Sequence, residues 1–438
     1  MRTRQTALAL LAAGSMALTA CSAGSLGSSD DKGDGKVAIS FLVDNQQETV
    51  KTADQLVKDF TAKNPNITIN VETRPQGTDG DNIIKTRLST GDMSDVFAYN
   101  SGSLFQAMAP EKNLVPLQDE AWVGQLDKNF STTVTANGKV YGAPMGGFMA
   151  GAILYNRDVY SKLGLQVPKT WTEFQANNAK IKAAGGVDPV IQTYGETWTS
   201  QLFVLGDFAN VLSADPQFAD QYTKNQAKYA TTPAALAGFQ HLQQVHDAGY
   251  QNKDFASAKL PDGVRELAQG KGAQYPILSA LLSQLIADNP GSADKIGLFP
   301  IPGDDAAKNN LTVWSPGGVY IPQTTKDAKL DAAKKFAAFI ASPDGCTSQA
   351  AATQPTGPFA VKGCTLPDSV PQAVKDMQTY IDAGQSNLAL EFLSPVKGPA
   401  LEQICVEVGS GIRKADAGAK LYDEDVKKQA QQLGLQGW

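Results

Sequence analysis

Polar and aromatic side chains follow two predicted strands, at positions where they could hold a hydroxylated solute. Asp44, Asn45 and Gln46 come after the first apolar strand, and Tyr99 and Asn100 come after the third. Open sheets of parallel strands bind ligands just beyond the carboxyl ends of the strands. Carboxylates and amides pair with hydroxyl groups, while a flat ring covers a weakly polar C–H face. Both segments are therefore predicted to bind a solute; the alternative for the first is a solvated loop that caps the next helix.

Residues for covalent or metal-assisted catalysis are sparse in this chain. It contains no G-x-S-x-G and no H-E-x-x-H, and its two histidines, His241 and His246, do not share a helix face closely. Because no C-x-x-C pair is present either, we predict no metal and no cofactor. Two carboxylates about 5–9 Å apart would suffice for glycoside hydrolysis. An exported carbohydrate-active hydrolase therefore stays open as an alternative to a binding protein without catalysis.

The first residues predict export and a lipid anchor. Arg2 and Arg4 precede an apolar stretch that ends in Leu18-Thr19-Ala20-Cys21. This layout is typical of a secretory signal peptide, here over residues 1–20, with cysteine as the residue after the cut. It resembles the bacterial lipoprotein signal, which implies lipidation of Cys21 and stable membrane attachment. The alternative is an ordinary signal peptide with an incidental cysteine.

The rest of the composition is that of a globular protein on a tether. Residues 21–36 are rich in Ser, Gly and Asp, which predicts a flexible linker. Apolar residues make up 42% of the chain, and the net charge of −6 becomes more negative when Arg2 and Arg4 leave with the signal, so a nucleic-acid partner is not expected. No later stretch is apolar enough to span a bilayer. The length exceeds what one core of about 250–300 residues serves, so two lobes are expected.

Three cysteines remain after Cys21, namely Cys346, Cys364 and Cys405. An exported protein meets an oxidising environment, where one pair can close. The pattern alone leaves the pairing open, and three free thiols are an alternative. Cys346 with Cys364 is slightly favoured because it closes the shortest loop.

Strands alternate with helices along the first part of the chain. Val37–Val43 is an apolar run typical of a buried strand, and the apolar stripe from Val50 to Phe60 predicts a helix. Strands at Ile67–Val71 and Asp95–Tyr99 follow, with a helix between them. This order predicts an α/β lobe with a mainly parallel sheet, and strand patterns resume after Pro144.

A series of short motifs resembles, in its order, the extracellular solute-binding proteins (family 1) of bacterial ABC importers, which include maltose-binding and other sugar-binding proteins. The motifs span most of the mature chain: Phe60-Thr61-Ala62-Lys63-Asn64-Pro65, Ser94-Asp95-Val96-Phe97, Gly138-Lys139-Val140-Tyr141-Gly142-Ala143-Pro144, Leu154-Tyr155-Asn156-Arg157, Pro168-Lys169-Thr170-Trp171-Thr172-Glu173-Phe174, Gly270-Lys271-Gly272-Ala273 and Ala332-Ala333-Lys334-Lys335-Phe336.

This resemblance implies a two-lobe, type II periplasmic-binding-protein-like α/β fold. Each lobe is expected to hold a mainly parallel sheet flanked by helices, and strands that cross between the lobes leave a ligand cleft. We expect crossings near Met145–Met149 and Ser315–Gly318. Lobe 1 would then contain residues 37–147 and 315–365, and lobe 2 would contain residues 148–314 and 366–438.

The resemblance also adds candidate binding residues. Glu196 and Trp198 match a family segment that supplies a carboxylate and an aromatic platform; the alternative for Trp198 is a core tryptophan. Trp314 lies at the expected second crossing and is a further platform, and Gly317 and Gly318 would let the backbone approach a ligand closely. Glu391 is a weaker candidate.

The expected function is that of a lipid-anchored receptor on the outer face of the cytoplasmic membrane. It would bind a carbohydrate, an oligosaccharide above all, between its lobes and deliver it as a monomer to an ABC permease, on the extracellular or periplasmic side. Besides the hydrolase, the alternative is the same receptor fold with a non-sugar solute such as a polyamine or a peptide. Asp44, Glu48 and Glu196 keep the polyamine open.

Overall fold

The computed structural model describes residues 36–438, apart from the side chain of Thr78. The predicted signal peptide over residues 1–20, the lipidated Cys21 and nearly all of the predicted tether lie outside the described residues. Within residues 36–438, no helix combines the length and the apolar character needed to cross a membrane.

Two sheets and one short hairpin hold the strands of residues 36–438. These are β1 (Val37–Asp44), β2 (Ile67–Arg74), β3 (Val96–Tyr99), β4 (Thr135–Ala136), β5 (Lys139–Val140), β6 (Gly142–Met145), β7 (Met149–Asn156), β8 (Asp188–Val190), β9 (Gly272–Leu278), β10 (Ile296–Pro300), β11 (Leu311–Trp314), β12 (Gly317–Tyr320) and β13 (Ser386–Leu388).

The first sheet has the order β2-β1-β3-β12-β6. β1 pairs in parallel with β2 and β3, whereas β12 runs antiparallel to β3 and β6. Phe41, Leu42 and Val43 are buried, as expected for a strand covered on both faces. The strand predicted at Val37–Val43 is therefore confirmed.

The second sheet has the order β13-β11-β7-β9-β8, and β10 also pairs with β7. β7 runs antiparallel to β9, β10 and β11, and only the β8–β9 and β11–β13 pairs are parallel. Each sheet is therefore mainly parallel in strand direction, as predicted, with one exception: β12 in the first sheet and β7 in the second run against the other strands. Both exceptions arrive from the other half of the molecule through a crossing segment.

The helices cover both sheets, and their sequences show why they form. In the helix from Gln47, the buried residues Ala53, Leu56 and Phe60 lie on one face, and the capping box of Thr170 and Glu173 opens the helix at Trp171. The α-helices are α1 (Gln47–Lys63), α2 (Gly77–Thr90), α3 (Ser103–Gln106), α4 (Pro110–Asn113), α5 (Lys128–Thr133), α6 (Arg157–Leu163), α7 (Trp171–Ala184), α8 (Leu202–Leu205), α9 (Phe208–Ala214), α10 (Phe218–Thr223), α11 (Pro233–Asp247), α12 (Leu260–Ala268), α13 (Leu282–Asp288), α14 (Asp327–Ile340), α15 (Pro343–Ala352), α16 (Gln372–Asp382), α17 (Leu401–Gly409) and α18 (Ala415–Gln432).

Three crossing segments, residues 146–148, 315–316 and 353–371, carry the described chain between the two halves. The first connects β6 to β7, and the second connects β11 to β12. The third leads from α15, which packs on α1, to α16, which packs on β10. The amide of Phe148 donates to the carbonyl of Pro358 (2.8 Å), so the first and third segments lie together. We propose the lobe boundaries within these segments, after residues 147, 314 and 365.

One disulfide joins Cys346 of α15 to Cys364 in the third crossing segment. This is the pairing that closes the shortest loop among the three candidate cysteines. Cys405 is a buried free thiol in α17, and burial raises its pKa, so it stays protonated at neutral pH.

Candidate functional site

A cavity of about 810 Å³, which we call the cleft, opens where the ends of both sheets meet at the crossing segments. Residues at the ends of β1, β2 and β3 line one side, and the end of β11 together with residues 391–397 lines the other. Because both halves contribute to its walls, a change in the angle between them would change the shape of the cleft.

Most of the residues predicted from the sequence meet in the cleft, but three do not. Those that line it are Asp44, Gln46, Tyr99, Asn100, Trp314, Gly317, Gly318 and Glu391. Asn45, Glu196 and Trp198 are not among the lining residues. Glu196 accepts a long hydrogen bond from the amide of Leu260 (3.4 Å), and the half-buried Trp198 packs against the apolar core.

The end of β1 presents polar side chains to the cleft. The carboxylate of Asp44 accepts from the amide of Gln46 (2.9 Å), and the Gln46 side chain donates to Gln76 (2.6 Å). Gln46 is exposed and precedes α1 without capping it through its side chain. Both side chains therefore remain able to exchange these contacts for hydroxyl groups of a solute.

Tyr99 forms a rigid wall at the end of β3. It is buried, and its hydroxyl donates to Asp81 (2.9 Å). Burial and this hydrogen bond raise the pKa of Tyr99, so the phenol stays neutral. The guanidinium of Arg74 lies over its ring, 5.4 Å from the ring centre.

Arg74 is a cleft residue that sequence reasoning missed. It is only 7% exposed, yet no carboxylate in residues 36–438 lies within ion-pair distance of it. Its Nη1 donates to the carbonyl of Pro75 (3.0 Å), whereas its buried Nε has no partner in the described chain. Arg74 reaches the cleft because it pairs directly with Asp44 across β1 and β2, and this register is not visible in the sequence alone.

On the opposite wall, Trp314 is held by a carboxylate. Its Nε1 donates to Oε1 of Glu391 (2.8 Å), and the other carboxylate oxygen of Glu391 lies 3.7 Å from Nζ of Lys397. Gly151 makes room for the indole, since a Cβ at that position would lie 2.4 Å from the ring. Trp314 is only 7% exposed, so the ring is fixed in place, with little of its surface open to the cleft in this structure.

The two predicted glycines have packing reasons as well as a place in the cleft. A Cβ on Gly318 would lie 2.4 Å from the ring of Tyr320, and one on Gly317 would lie 3.1 Å from the carbonyl oxygen of Tyr99. Close approach of β12 to β3 therefore already requires small residues here.

Polar side chains tie the crossing segments to the first half of the molecule. Ser101 donates to the carbonyl of Pro316 (2.8 Å), and the hydroxyls of Ser315 and Thr133 lie 3.0 Å apart. The amide of Gly146, a residue with φ of 97°, donates to Gln349 (2.7 Å). These contacts fix the ends of the crossing segments to the first half.

The described residues contain no group of three or more His, Cys, Asp or Glu side chains placed to hold a metal ion. The cleft can bind a polar solute through hydrogen bonds, because hydroxyl, amide, carboxylate and guanidinium groups line it beside two fixed rings.

Two α/β halves joined by crossing segments around such a cleft define a hinged solute receptor. Residues 44–345 match the family model of the bacterial extracellular solute-binding proteins, and the chain belongs to this family. The resemblance inferred from the sequence is therefore confirmed. Members of the family are extracellular receptors that bind solutes, not enzymes.

Named relatives and a solved structure agree with this assignment. The chain is 26% identical to the multiple sugar-binding protein of Streptococcus mutans over 70% of its length and 71% of the relative. It is 27% identical to the melibiose/raffinose/stachyose-binding protein MelE of Bacillus subtilis over 67% of its length and 68% of the relative. The apo form of RafE from Streptococcus pneumoniae superposes with a TM-score of 0.77 at 21% identity, covering 91% of this chain and 99% of that one. The predicted two-lobe α/β fold is confirmed.

Proposed function

We propose that the protein is a lipid-anchored receptor that binds an oligosaccharide in the cleft and delivers it to the permease of an ABC importer. The observation that carries this proposal is the pair of walls described above. A fixed indole at Trp314 faces the same cavity as Tyr99, and polar groups from β1 and β3 surround them. Rings, amides and carboxylates that line one cavity suit a solute with both hydroxyl edges and C–H faces.

The size of the cleft agrees with a solute of several sugar rings. Its volume of about 810 Å³ falls in the upper part of the usual range for small-molecule sites, about 300–1,000 Å³. The sugar-binding names of the relatives point to the same class of solute.

The anchor is proposed from the sequence Leu18-Thr19-Ala20-Cys21. A lipidated cysteine would hold the receptor near its permease without a membrane-spanning helix. Labelling of expressing cells with radioactive palmitate tests this proposal. The wild-type chain should carry the label, and Cys21→Ser should not; a wild-type chain without label would contradict the anchor.

Binding is tested by a thermal-shift screen of the purified protein against raffinose, stachyose, melibiose, maltooligosaccharides, polyamines, peptides and phosphate esters. A ligand at 100 times its dissociation constant adds about 2.7 kcal/mol to the free energy of unfolding. We expect one class of oligosaccharide to raise the melting temperature and to be recovered intact. Recovery of cleaved sugar would instead support the hydrolase.

Two matched variants test whether the sugar binds in the cleft. Gln46→Ala removes an exposed amide from the cleft, and Gln432→Ala removes an exposed amide at the end of α18. Neither side chain supports the core, so both variants should fold. We expect Gln46→Ala alone to weaken sugar binding, by about fivefold, which is about 1 kcal/mol for one hydrogen bond. Equal affinities for both variants would contradict the cleft as the site.

A cationic solute is the second candidate, because Asp44, Glu48 and Glu391 all line the cleft. Of these, only Glu391 has an ion-pair partner among the described residues. A thermal shift with polyamines and not with sugars would favour this candidate and keep the receptor.

A further inference from the structure

A second cavity, which we call the side cavity, lies in the half of the molecule that contains the second sheet. Its volume is about 580 Å³, and it lies between the start of α9, the first turns of α11 and the loop of residues 303–308. No described residue lines both the side cavity and the cleft. The proposed sugar-binding function therefore does not account for it.

Asp207 brings a buried carboxyl group to the side cavity, with a hydrogen bond on one of its two oxygens. The residue is 2% exposed, and its Oδ1 accepts from the side chain of Asn210 (2.7 Å). Within residues 36–438, Oδ2 has no hydrogen-bond partner, and no cation lies within ion-pair distance. Burial raises the pKa of this carboxyl well above its usual range. Burial therefore favours the neutral acid in the empty cavity, whereas a cation bound beside it would favour the carboxylate. Such a shifted carboxyl in a cavity is a feature typical of functional sites.

His241 brings a second unsatisfied group. The side chain is 4% exposed and stacks on Trp171 with 3.7 Å between the ring centres. Its buried Nδ1 has no partner in the described chain, and the ring makes no other hydrogen bond there. Burial lowers the pKa of His241 to about 3, so the imidazole is neutral at physiological pH and keeps a free lone pair.

The charges around the side cavity select the class of ligand. Asp215, Asp304 and Asp305 line it together with Asp207, and Lys308 is the single cation among the lining residues. An anion would be repelled by this excess of carboxylates. The described residues offer no metal-binding group. Apolar atoms of Pro233 and neighbouring alanines complete the wall, which suits a ligand with an alkyl portion.

We propose that the side cavity binds a small organic ammonium ion. Its N–H groups would donate to the carboxylate of Asp207 and to the neutral imidazole of His241, and its alkyl portion would lie against Pro233. The aspartates at the opening would attract the cation from solution. This ligand would give a hydrogen-bond partner to Oδ2 of Asp207 and to the imidazole of His241, beyond the contacts that the described chain supplies.

Isothermal titration calorimetry with 1,4-diaminobutane and n-butylamine tests the proposal, with 1,4-butanediol as the neutral control. Wild-type protein should bind the amines and not the diol. Asp207→Asn keeps an oxygen that can accept from Asn210 but cannot become a carboxylate beside a bound cation, so it should fold and bind the amines at least tenfold more weakly. Asp331→Asn, at an exposed position of α14, is the matched control and should bind as wild type.

Three results would overturn the proposal. The first is no binding of either amine at millimolar concentration, and the second is unchanged binding by Asp207→Asn. The third is loss of binding by Glu48→Gln, a cleft variant, with Asp207→Asn unaffected, because this would place the amine in the cleft. If Asp207→Asn does not fold, the exposed variant Asp304→Asn replaces it and should weaken amine binding about threefold, an effect that salt reduces. Unchanged amine affinity in Asp304→Asn would then count against the site.

Discussion

The indole of Trp314 donates its N–H to Glu391 across 2.8 Å, and the same carboxylate lies 3.7 Å from the ammonium group of Lys397. The last residue of β11 is thereby bonded to a segment that follows β13, at one wall of the cleft. An aromatic ring with a satisfied polar atom and a fixed plane loses little freedom when a solute stacks on it. The predicted platform residue is therefore already oriented before any solute arrives.

Glu391→Ala should weaken sugar binding about tenfold, or about 1.4 kcal/mol, because it frees both the indole and Lys397. The melting temperature should change little, since Glu391 is only half-buried. Titration calorimetry with the sugar found in the screen measures the effect, and Glu424→Ala at an exposed position of α18 is the control. Equal affinities of the two variants would show that the Trp314–Glu391 bond does not matter for binding.

Trp198→Ala separates the role predicted from the sequence from the packing seen in the structure. Because the half-buried ring packs on the core outside the cleft, we expect a loss of about 1–2 kcal/mol in the free energy of unfolding. The sugar affinity should stay within about twofold. A tenfold loss of affinity with unchanged stability would instead support Trp198 as a platform that reaches the sugar when the lobes close.

His241 should make the protein less stable in mild acid. Its pKa is about 3 in the folded protein and about 6.5 when unfolded, so between these values only the unfolded chain binds the proton. The stability contribution is present above pH 6.5 and falls as the pH is lowered, by up to about 1.4 kcal/mol per pH unit. Urea unfolding at pH 7 and pH 5 measures it. His241→Phe, which keeps a ring on Trp171, should lose less stability over this interval; parallel curves would contradict the assignment.

The disulfide between Cys346 and Cys364 should contribute about 3 kcal/mol to stability, as expected for a loop of this length. The double variant with both residues changed to Ser removes the bond without leaving a single thiol. Urea unfolding should show the loss, with a larger denaturant slope because the unfolded chain is less constrained. A difference below about 0.5 kcal/mol would mean that native contacts hold the third crossing segment without the bond.

The sequence was informative where local pattern decides the structure. The apolar run before Asp44 and the helical stripe through Phe60 each follow from one short segment, so β1, α1 and the polar residues at the strand end could be predicted. Arg74 could not, because its role depends on the register between β1 and β2. The mixed pairing of both sheets and the position of Trp198 depend on contacts between distant segments, which no local pattern reports.

The place of β12 between β3 and β6 has a consequence for the biosynthesis of the chain. β3 and β6 do not pair with each other, and the strand that joins them is made only after most of the second half has been translated. The first half therefore cannot complete its sheet as it emerges from the ribosome, and its edges stay open until Tyr320 is available. Such long-range closure is slow. The first half of the molecule therefore finishes folding together with the second, and not before it.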